Sequence, residues 1–230
     1  MMWVDSHVHT RYSYDSMMSI KRLIKIARAK GIDGLVITDH DVFSYPRIKP
    51  KIPQESGVFI IPGMEIKTEH GDLIGVMLNE EISSRDFDEC VDEIHEQGGY
   101  AILPHPFRRR SSREISELAK QVDIVEVYNA RTSVSANNKA KRVALSLNKP
   151  MTAGSDAHLY MEIGRGLTGV EKSDGVEDIM KNVLKKRVKL RYIPSPRYVH
   201  YFSSLIGAYK TGDYRTFVRG AYRHIRGHHK

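Results

Sequence analysis

The 230-residue sequence predicts an α/β protein whose parallel sheet, closed or open, is covered by helices. Two observations carry this. Short apolar runs alternate with helix-length stretches of amphipathic spacing along most of the chain. Several of those runs end in histidine or a carboxylate, the place where α/β folds build their sites. The length suits one main domain, and 40% hydrophobic residues suffice for a sizeable core.

The first run, Trp3 and Val4, leads into Asp5-Ser6-His7-Val8-His9. Residues two apart on a strand share a face, so His7 and His9 can reach one metal ion while Val8 turns into packing. Asp15 follows after a polar turn. Ser19 is a candidate N-cap, Ile20, Leu23, Ile24 and Ala27 form a helical stripe, and Gly31 closes it. Gly34 to Thr38 reads as a buried strand ending in Asp39-His40-Asp41. Pro46, Pro50, Pro53 and Gly57 mark 44–57 as loop. Val58 to Ile61 is a strand running into Pro62-Gly63-Met64-Glu65-Ile66, and Asp72 to Leu78 is another.

Residues 84–97 have helical spacing; Cys90 and His95 within them read as ordinary helix residues. Tyr100 to Leu103 is a strand ending in Pro104-His105-Pro106. A helix is expected at about 112–120, a strand over Ile124 to Tyr128 ending in Asn129-Ala130-Arg131, and a helix over 135–147. Pro150 to Ala153 forms a strand ending in Gly154-Ser155-Asp156-Ala157-His158. Residues 175–186 are helical, and Val188 to Ile193 is a candidate last strand.

Composition excludes several classes. No GxGxxG or GxxxxGK[ST] stands at a strand-to-helix turn, which removes the main support for dinucleotide or P-loop binding. One cysteine permits no intrachain disulfide. No charged-then-apolar leader precedes the first strand and no apolar run approaches the ~20 residues of a membrane span, so a soluble cytoplasmic protein is expected. The net charge of +8 is a C-terminal property: residues 1–186 hold 26 basic and 27 acidic residues, and 187–230 hold ten basic residues and one acid.

Of eleven histidines, five (His7, His9, His40, His105 and His158) stand at strand carboxyl ends, with Asp15, Glu65 and Asp156. So many imidazoles and carboxylates in one cleft cost several kcal/mol through burial and like-charge repulsion unless cations join them. Nitrogen and oxygen donors without thiolate suit zinc, manganese or iron. Eight side chains exceed the needs of one ion and imply two or three.

The runs DSHVHTRYSYDS, ITDHD, PGMEI, PHP and GSDAH, in that order over about residues 1–193, resemble the PHP superfamily, named for polymerase and histidinol phosphatase. The resemblance implies a distorted (β/α)7 TIM-like barrel and a two- or three-metal phosphoesterase site. It implies that His7, His9, Glu65 and Asp156 hold a first metal. Glu65 would bridge to a second with His105, and Asp15, His40 and His158 would hold a third. Some family members carry histidine where this chain has Asn129, a weaker ligand, so the second metal is expected to be held less tightly or through water.

The function expected is hydrolysis of a phosphate ester, on a small phosphorylated metabolite or nucleotide, by a metal-activated hydroxide. Arg11, Arg131 and Arg165 are candidate phosphate clamps. Arg108 to Arg110 reads as a solvated loop with one member reaching the substrate. His158 or Asp15 is the candidate to protonate the leaving oxygen.

Residues 194–230 read as a basic extension. Tyr198, Tyr201, Phe202, Leu205, Ile206 and Tyr209 form one helical stripe, Gly212 breaks it, and Tyr214, Phe217, Val218, Ala221, Tyr222 and Ile225 form a second. The result is a helical hairpin with a basic face (Arg215, Arg219, Arg223, Arg226). Two rival functions follow: a nuclease whose basic tail grips an RNA or DNA end, and a non-catalytic metal-binding domain.

Overall fold

The computed structural model describes residues 1–108 and 112–214. Among these residues nine strands form one strongly curved sheet: β1 (Met2–Val8), β2 (Gly34–Ile37), β3 (Phe59–Thr68), β4 (Gly71–Val76), β5 (Tyr100–Leu103), β6 (Ile124–Asn129), β7 (Met151–Gly154), β8 (Gly166–Val170) and β9 (Lys189–Tyr192). Their spatial order is β7-β6-β5-β4-β3-β2-β1-β8-β9. β7 returns towards β1, where Ser6 Oγ donates to the Ala153 carbonyl at 2.8 Å and Val8 bridges Ala157 in parallel. The sheet is therefore a nearly closed, barrel-shaped α/β fold, as the resemblance implied.

The sheet departs from the expected parallel order at one stave and one edge. β4 runs antiparallel to both β3 and β5. Its connection to β3 is only Glu69-His70, and a parallel crossover needs a dozen residues or more. β8 was not expected at all; its sequence, GLTGV, has two glycines and little strand propensity. β8 pairs antiparallel with β1, and β9 antiparallel with β8.

Among the described residues seven helices surround the sheet: α1 (Ile20–Ala29), α2 (Tyr45–Ile48), α3 (Phe87–Glu96), α4 (Ser112–Gln121), α5 (Val134–Ser146), α6 (Val176–Leu184) and α7 (Tyr198–Thr211). α2, with the short turn Lys49–Lys51 after it, lies in the stretch expected to be loop. α1 buries Ile20, Leu23, Ile24 and Ala27, the stripe its spacing dictates, and Gly31 follows at φ 64°. Each fully buried Leu or Ile stabilises by roughly 1.5–3 kcal/mol before entropy is subtracted. Ser19 stands at the N-cap but makes no side-chain capping bond. α6 packs Ile179, Met180 and Val183 against Val4, Val36, Ile61, Ile102 and Ile124 of successive strands, flooring the barrel.

Within residues 194–214, the described part of the stretch read as a C-terminal extension, α7 ends at Thr211 and is capped by Gly212, φ 76°. The second arm of the expected hairpin, with Arg215, Arg219, Arg223 and Arg226, lies outside the described residues. Among the described residues no helix is long and apolar enough to cross a membrane.

Candidate metal centre

Parallel pairing brings the carboxyl ends of β1, β2, β3, β5, β6 and β7 to one rim. The pleat of β1 puts His7 in the strand and His9 just beyond it, both fully buried. His40 follows β2 and bridges Glu65 of β3. His105 follows β5, and Asp156 and His158 follow β7. His105 and Asp156 occupy left-handed backbone, φ 29° and 53°. Residues other than glycine seldom do so, and such strain clusters at functional sites.

Four donor atoms converge most tightly. His7 Nε2 lies 3.2 Å from Glu65 Oε2 and 3.6 Å from Asp156 Oδ1. His9 Nε2 lies 3.3 Å from each of the same two oxygens. Four ligands placed tetrahedrally at about 2.1 Å from an ion are about 3.4 Å apart, so this shell has the spacing an ion requires. His9 Nε2 is buried and hydrogen-bonds to nothing, and so is Asp15 Oδ1. A buried orphan donor or acceptor costs about 1–3 kcal/mol, and a cation between these atoms removes that cost. The residues present therefore fit a metal.

Two further groups share the rim. His9, His40 and His158 present donors to one another, with His158 Nε2 3.0 Å and His40 Nε2 3.7 Å from Asp15 Oδ2. Glu65 turns its other oxygen to His105 Nε2, 3.0 Å away, while Asp72 Oδ2 lies 4.0 Å from the same nitrogen. Glu65 thus faces donors on two sides, as a bridging carboxylate must.

Electrostatics follows from this crowding. Burial disfavours charge on His7, but Asp156, Glu65 and Glu126 outweigh it and raise its pKa well above the ordinary value. His9, next to the same carboxylates, is pushed well below by burial and by His158 and His40. Burial likewise opposes charge on Glu65, Asp156 and Asp15, yet neighbouring cationic groups hold all three carboxyls below the usual range. For Asp156 the guanidinium of Arg108 leads.

The supporting shell is built from residues the sequence analysis gave no role. Glu126, mid-strand in β6, accepts from His7 Nδ1 at 3.1 Å and from the His105 backbone N–H at 2.9 Å. With His7 and His105 it also forms a possible donor group. Its signal in the sequence was a lone carboxylate inside the apolar run IVEVY. Asp72 reaches the rim because β4 is reversed. Asp39 accepts from Thr10 N–H, Thr10 Oγ1 and Ser44 Oγ at 2.5–2.6 Å, fixing the turns that carry His9 and His40. Asp5, which burial pushes up to about 6, accepts from the Ser155 and Gly164 N–H groups and so holds the Asp156 turn.

Asn129 reaches the cluster, but its amide is already engaged. Oδ1 accepts from Arg108 Nη2 at 2.7 Å and Arg131 N–H at 3.0 Å, and Nδ2 donates to Glu126 Oε2 at 2.9 Å. In this state it orients its neighbours.

The arginines separate. Arg108 Nη2 donates to Asp156 Oδ2 at 2.5 Å, at the edge of the donor cluster. Arg11 is exposed beside the His9 turn. Arg131 is turned away: its Nε and Nη2 pair with Glu162 at 2.8 and 3.1 Å in a buried ion pair, and Nη2 also donates to Ser203 Oγ of α7. Arg165 is not brought to the cluster either; its Nη1 donates to the Pro194 carbonyl. Cys90 is buried in α3 with its thiol pushed up to about 11, and His95 pairs with Asp123, both apart from the rim.

A barrel with nitrogen and oxygen donors gathered at its strand ends has the arrangement of a metal-binding centre. Comparison with known proteins gives the family. Residues 134–188 match the family model PHP_C, described as PHP-associated. Two uncharacterized proteins of Methanocaldococcus jannaschii are 36% identical over 143 residues (56% of this chain, 82% of that one) and 38% over 173 (71% and 68%). A probable phosphatase of Shewanella frigidimarina is 28% identical over 221 residues, 80% of this chain and 88% of that one. A crystal structure from Bacteroides vulgatus, a two-domain protein containing a predicted PHP-like metal-dependent phosphoesterase, shares the fold at TM-score 0.68 and 18% identity. The match covers 83% of this chain and 64% of that longer one. PsfC of Pseudomonas syringae superposes at TM-score 0.61 and 19% identity, over 92% and 98%. The chain belongs to the PHP superfamily of metal-dependent phosphoesterases.

Proposed function

We propose that this protein hydrolyses the phosphate ester of a small phosphorylated metabolite or nucleotide, using two or three divalent cations, zinc, manganese or iron. The observation that carries the reading is the shell of His7 Nε2, His9 Nε2, Glu65 Oε2 and Asp156 Oδ1, with neighbours 3.2–3.6 Å apart and one nitrogen orphaned. His7, His9, Glu65 and Asp156 hold one cation in this account. Glu65 and His105, with Glu126 or Asp72 beside them, hold a second, and Asp15, His40 and His158 a third. Such cations supply an activated water near neutral pH and offset charge on the phosphoryl oxygens.

The chain's own groups do the rest. Asp15, His40 and Arg108 keep partial exposure (side chains 12%, 19% and 26%), so substrate enters on their side. The Tyr14 ring stacks on His40 at 5.1 Å and gives that mouth an aromatic surface for the body of the substrate. Phosphate contact falls to Arg108 and Arg11, because Glu162 occupies Arg131 and Arg165 lies elsewhere. His158 donates from Nδ1 to the Asp156 carbonyl at 2.9 Å, which leaves Nε2 directed at Asp15. With two cations bound and the third position empty, His158 Nε2, facing the Asp15 carboxylate, is the atom placed to carry the proton to the leaving oxygen; with a third cation bound it is a ligand instead.

The test is Asp156→Ala. Metal content and turnover fall together if the reading holds. Turnover that survives with full metal content removes Asp156 from the chemistry. An oligonucleotide among the substrates, with turnover falling steeply as salt rises, is the signature of the nuclease alternative.

A further inference from the structure

A second candidate site lies apart from the metal cluster. A cavity of about 320 Å³ opens between the end of α1 and the segment that enters β8. Its walls include Ile32, Ile163, Leu167 and Ile193, and its two charged groups are both cations, Lys30 and Arg165. No metal ligand lines it, and neither does a carboxylate.

Two like charges side by side on one pocket wall repel. Here each is held in place by one backbone carbonyl. Lys30 Nζ donates to Ile163 O at 2.7 Å, and Arg165 Nη1 donates to Pro194 O at 2.8 Å. These bonds tether the cations but supply no counter-charge. Arg165 Nε is buried and has no partner. Burial and the neighbouring Arg165 both disfavour the charge on Lys30. Among the described residues no carboxylate stands within ion-pair distance of either cation. Asp5, the acid whose field Lys30 feels, is spent on the N–H groups of Ser155 and Gly164 at 2.9 and 2.8 Å.

We propose that this pocket binds an oxyanion carried on a short apolar chain, an alkyl carboxylate or alkyl phosphate. The headgroup sits between the Lys30 ammonium and the Arg165 guanidinium. The chain lies along Ile32, Ile163, Leu167 and Ile193. An oxyanion supplies the counter-charge that no lining residue offers the two cations, and the apolar wall beside them takes its chain. The cavity is large enough for roughly ten water volumes, which suits a headgroup with several methylenes.

Calorimetric titration of the full chain with hexylphosphonate, hexanoate and inorganic phosphate tests this. Hexylphosphonate is not a phosphate ester, so turnover does not interfere. Both amphiphiles are expected to bind, and at least one more tightly than inorganic phosphate; the two arms identify the preferred headgroup. Arg165→Met and Lys30→Met weaken that binding by about tenfold or more, the scale of one lost charge-assisted hydrogen bond. Lys30→Arg, which keeps the charge, retains it, and thermal melts confirm that each variant is folded. Asp156→Asn, which damages the metal cluster, leaves it unchanged. Three results overturn the proposal: no binding of either amphiphile, binding lost in Asp156→Asn but kept in Arg165→Met, or inorganic phosphate binding as tightly as both amphiphiles.

Discussion

The ring of His7 is fixed from behind by Glu126: Nδ1 donates to Oε1 at 3.1 Å, and this turns Nε2 into the shell shared with Glu65 and Asp156. A carboxylate behind a ligating histidine sets its tautomer and raises its basicity, and losing it typically costs 10–100-fold in metal affinity. Glu126→Gln keeps the shape and removes the charge. We expect metal affinity to fall by about that factor, measured by competition with a chromophoric chelator. Unchanged affinity would show that Glu126 does not support His7.

Gly154 is the close-approach point of the same corner. A Cβ there would stand 2.5 Å from Glu126 Oε1 and 2.5 Å from His7 Cβ. Gly154→Ala must displace both. The expected cost is about 1–3 kcal/mol of stability, read from the denaturation midpoint, together with lower metal content. A variant with native metal content and stability would contradict the packing described.

The pKa directions predict opposite pH behaviour for stripped and loaded protein. His7 is raised in the folded state, so its contribution is complete below its unfolded value of about 6.5 and is lost as pH rises through the folded value. Glu65 and Asp156 are depressed, so their contributions are present above about 4 and are lost as pH falls through their folded values. His9 is depressed and stays neutral across the upper window. Chelated protein should therefore lose melting temperature as pH rises above neutral, while loaded protein should not. Metal uptake at neutral pH should release the His7 proton, seen as a binding enthalpy that varies with buffer ionisation enthalpy. A chelated protein that grows more stable as the solution becomes alkaline would contradict the assignment.

α7 straps the mouth. Lys210 donates to the carbonyls of Arg11, Ser13 and Ser16, and Gly207 faces Tyr14 and Asp15. Lys210→Met should cost about 1–2 kcal/mol and speed amide exchange over residues 11–16. If Asp15, His40 and His158 hold an ion as proposed, it should then be lost before the one proposed at His7 and His9. Equal loss of all metal, with no change in exchange, would argue against the strap.

Much of this was legible from strand ends. The HxH pair, His40, Glu65, His105, Asp156 and His158 each stand within a few residues of the end of an apolar run, and parallel pairing must bring such residues to one rim. What escaped was tertiary. Glu126 lies within a strand, where a carboxylate reads as an interruption until its partners are known. Asp72 reaches the rim only because β4 is reversed, although the two-residue link before it excluded a crossover. Arg131 follows a strand end as a phosphate clamp would, but Glu162, thirty-one residues later, takes its guanidinium. β8 was hidden by its glycines, one of which, Gly166, has no room for a Cβ beside the Gly154 carbonyl.

The most direct test of the central claim is turnover on a panel of small phosphate esters, with metal analysis of the same preparation. The account predicts phosphate release from at least one ester, abolished by chelation and restored by a divalent cation, with metal bound in the active sample. Protein that retains its full metal complement and hydrolyses no ester in the panel would contradict it.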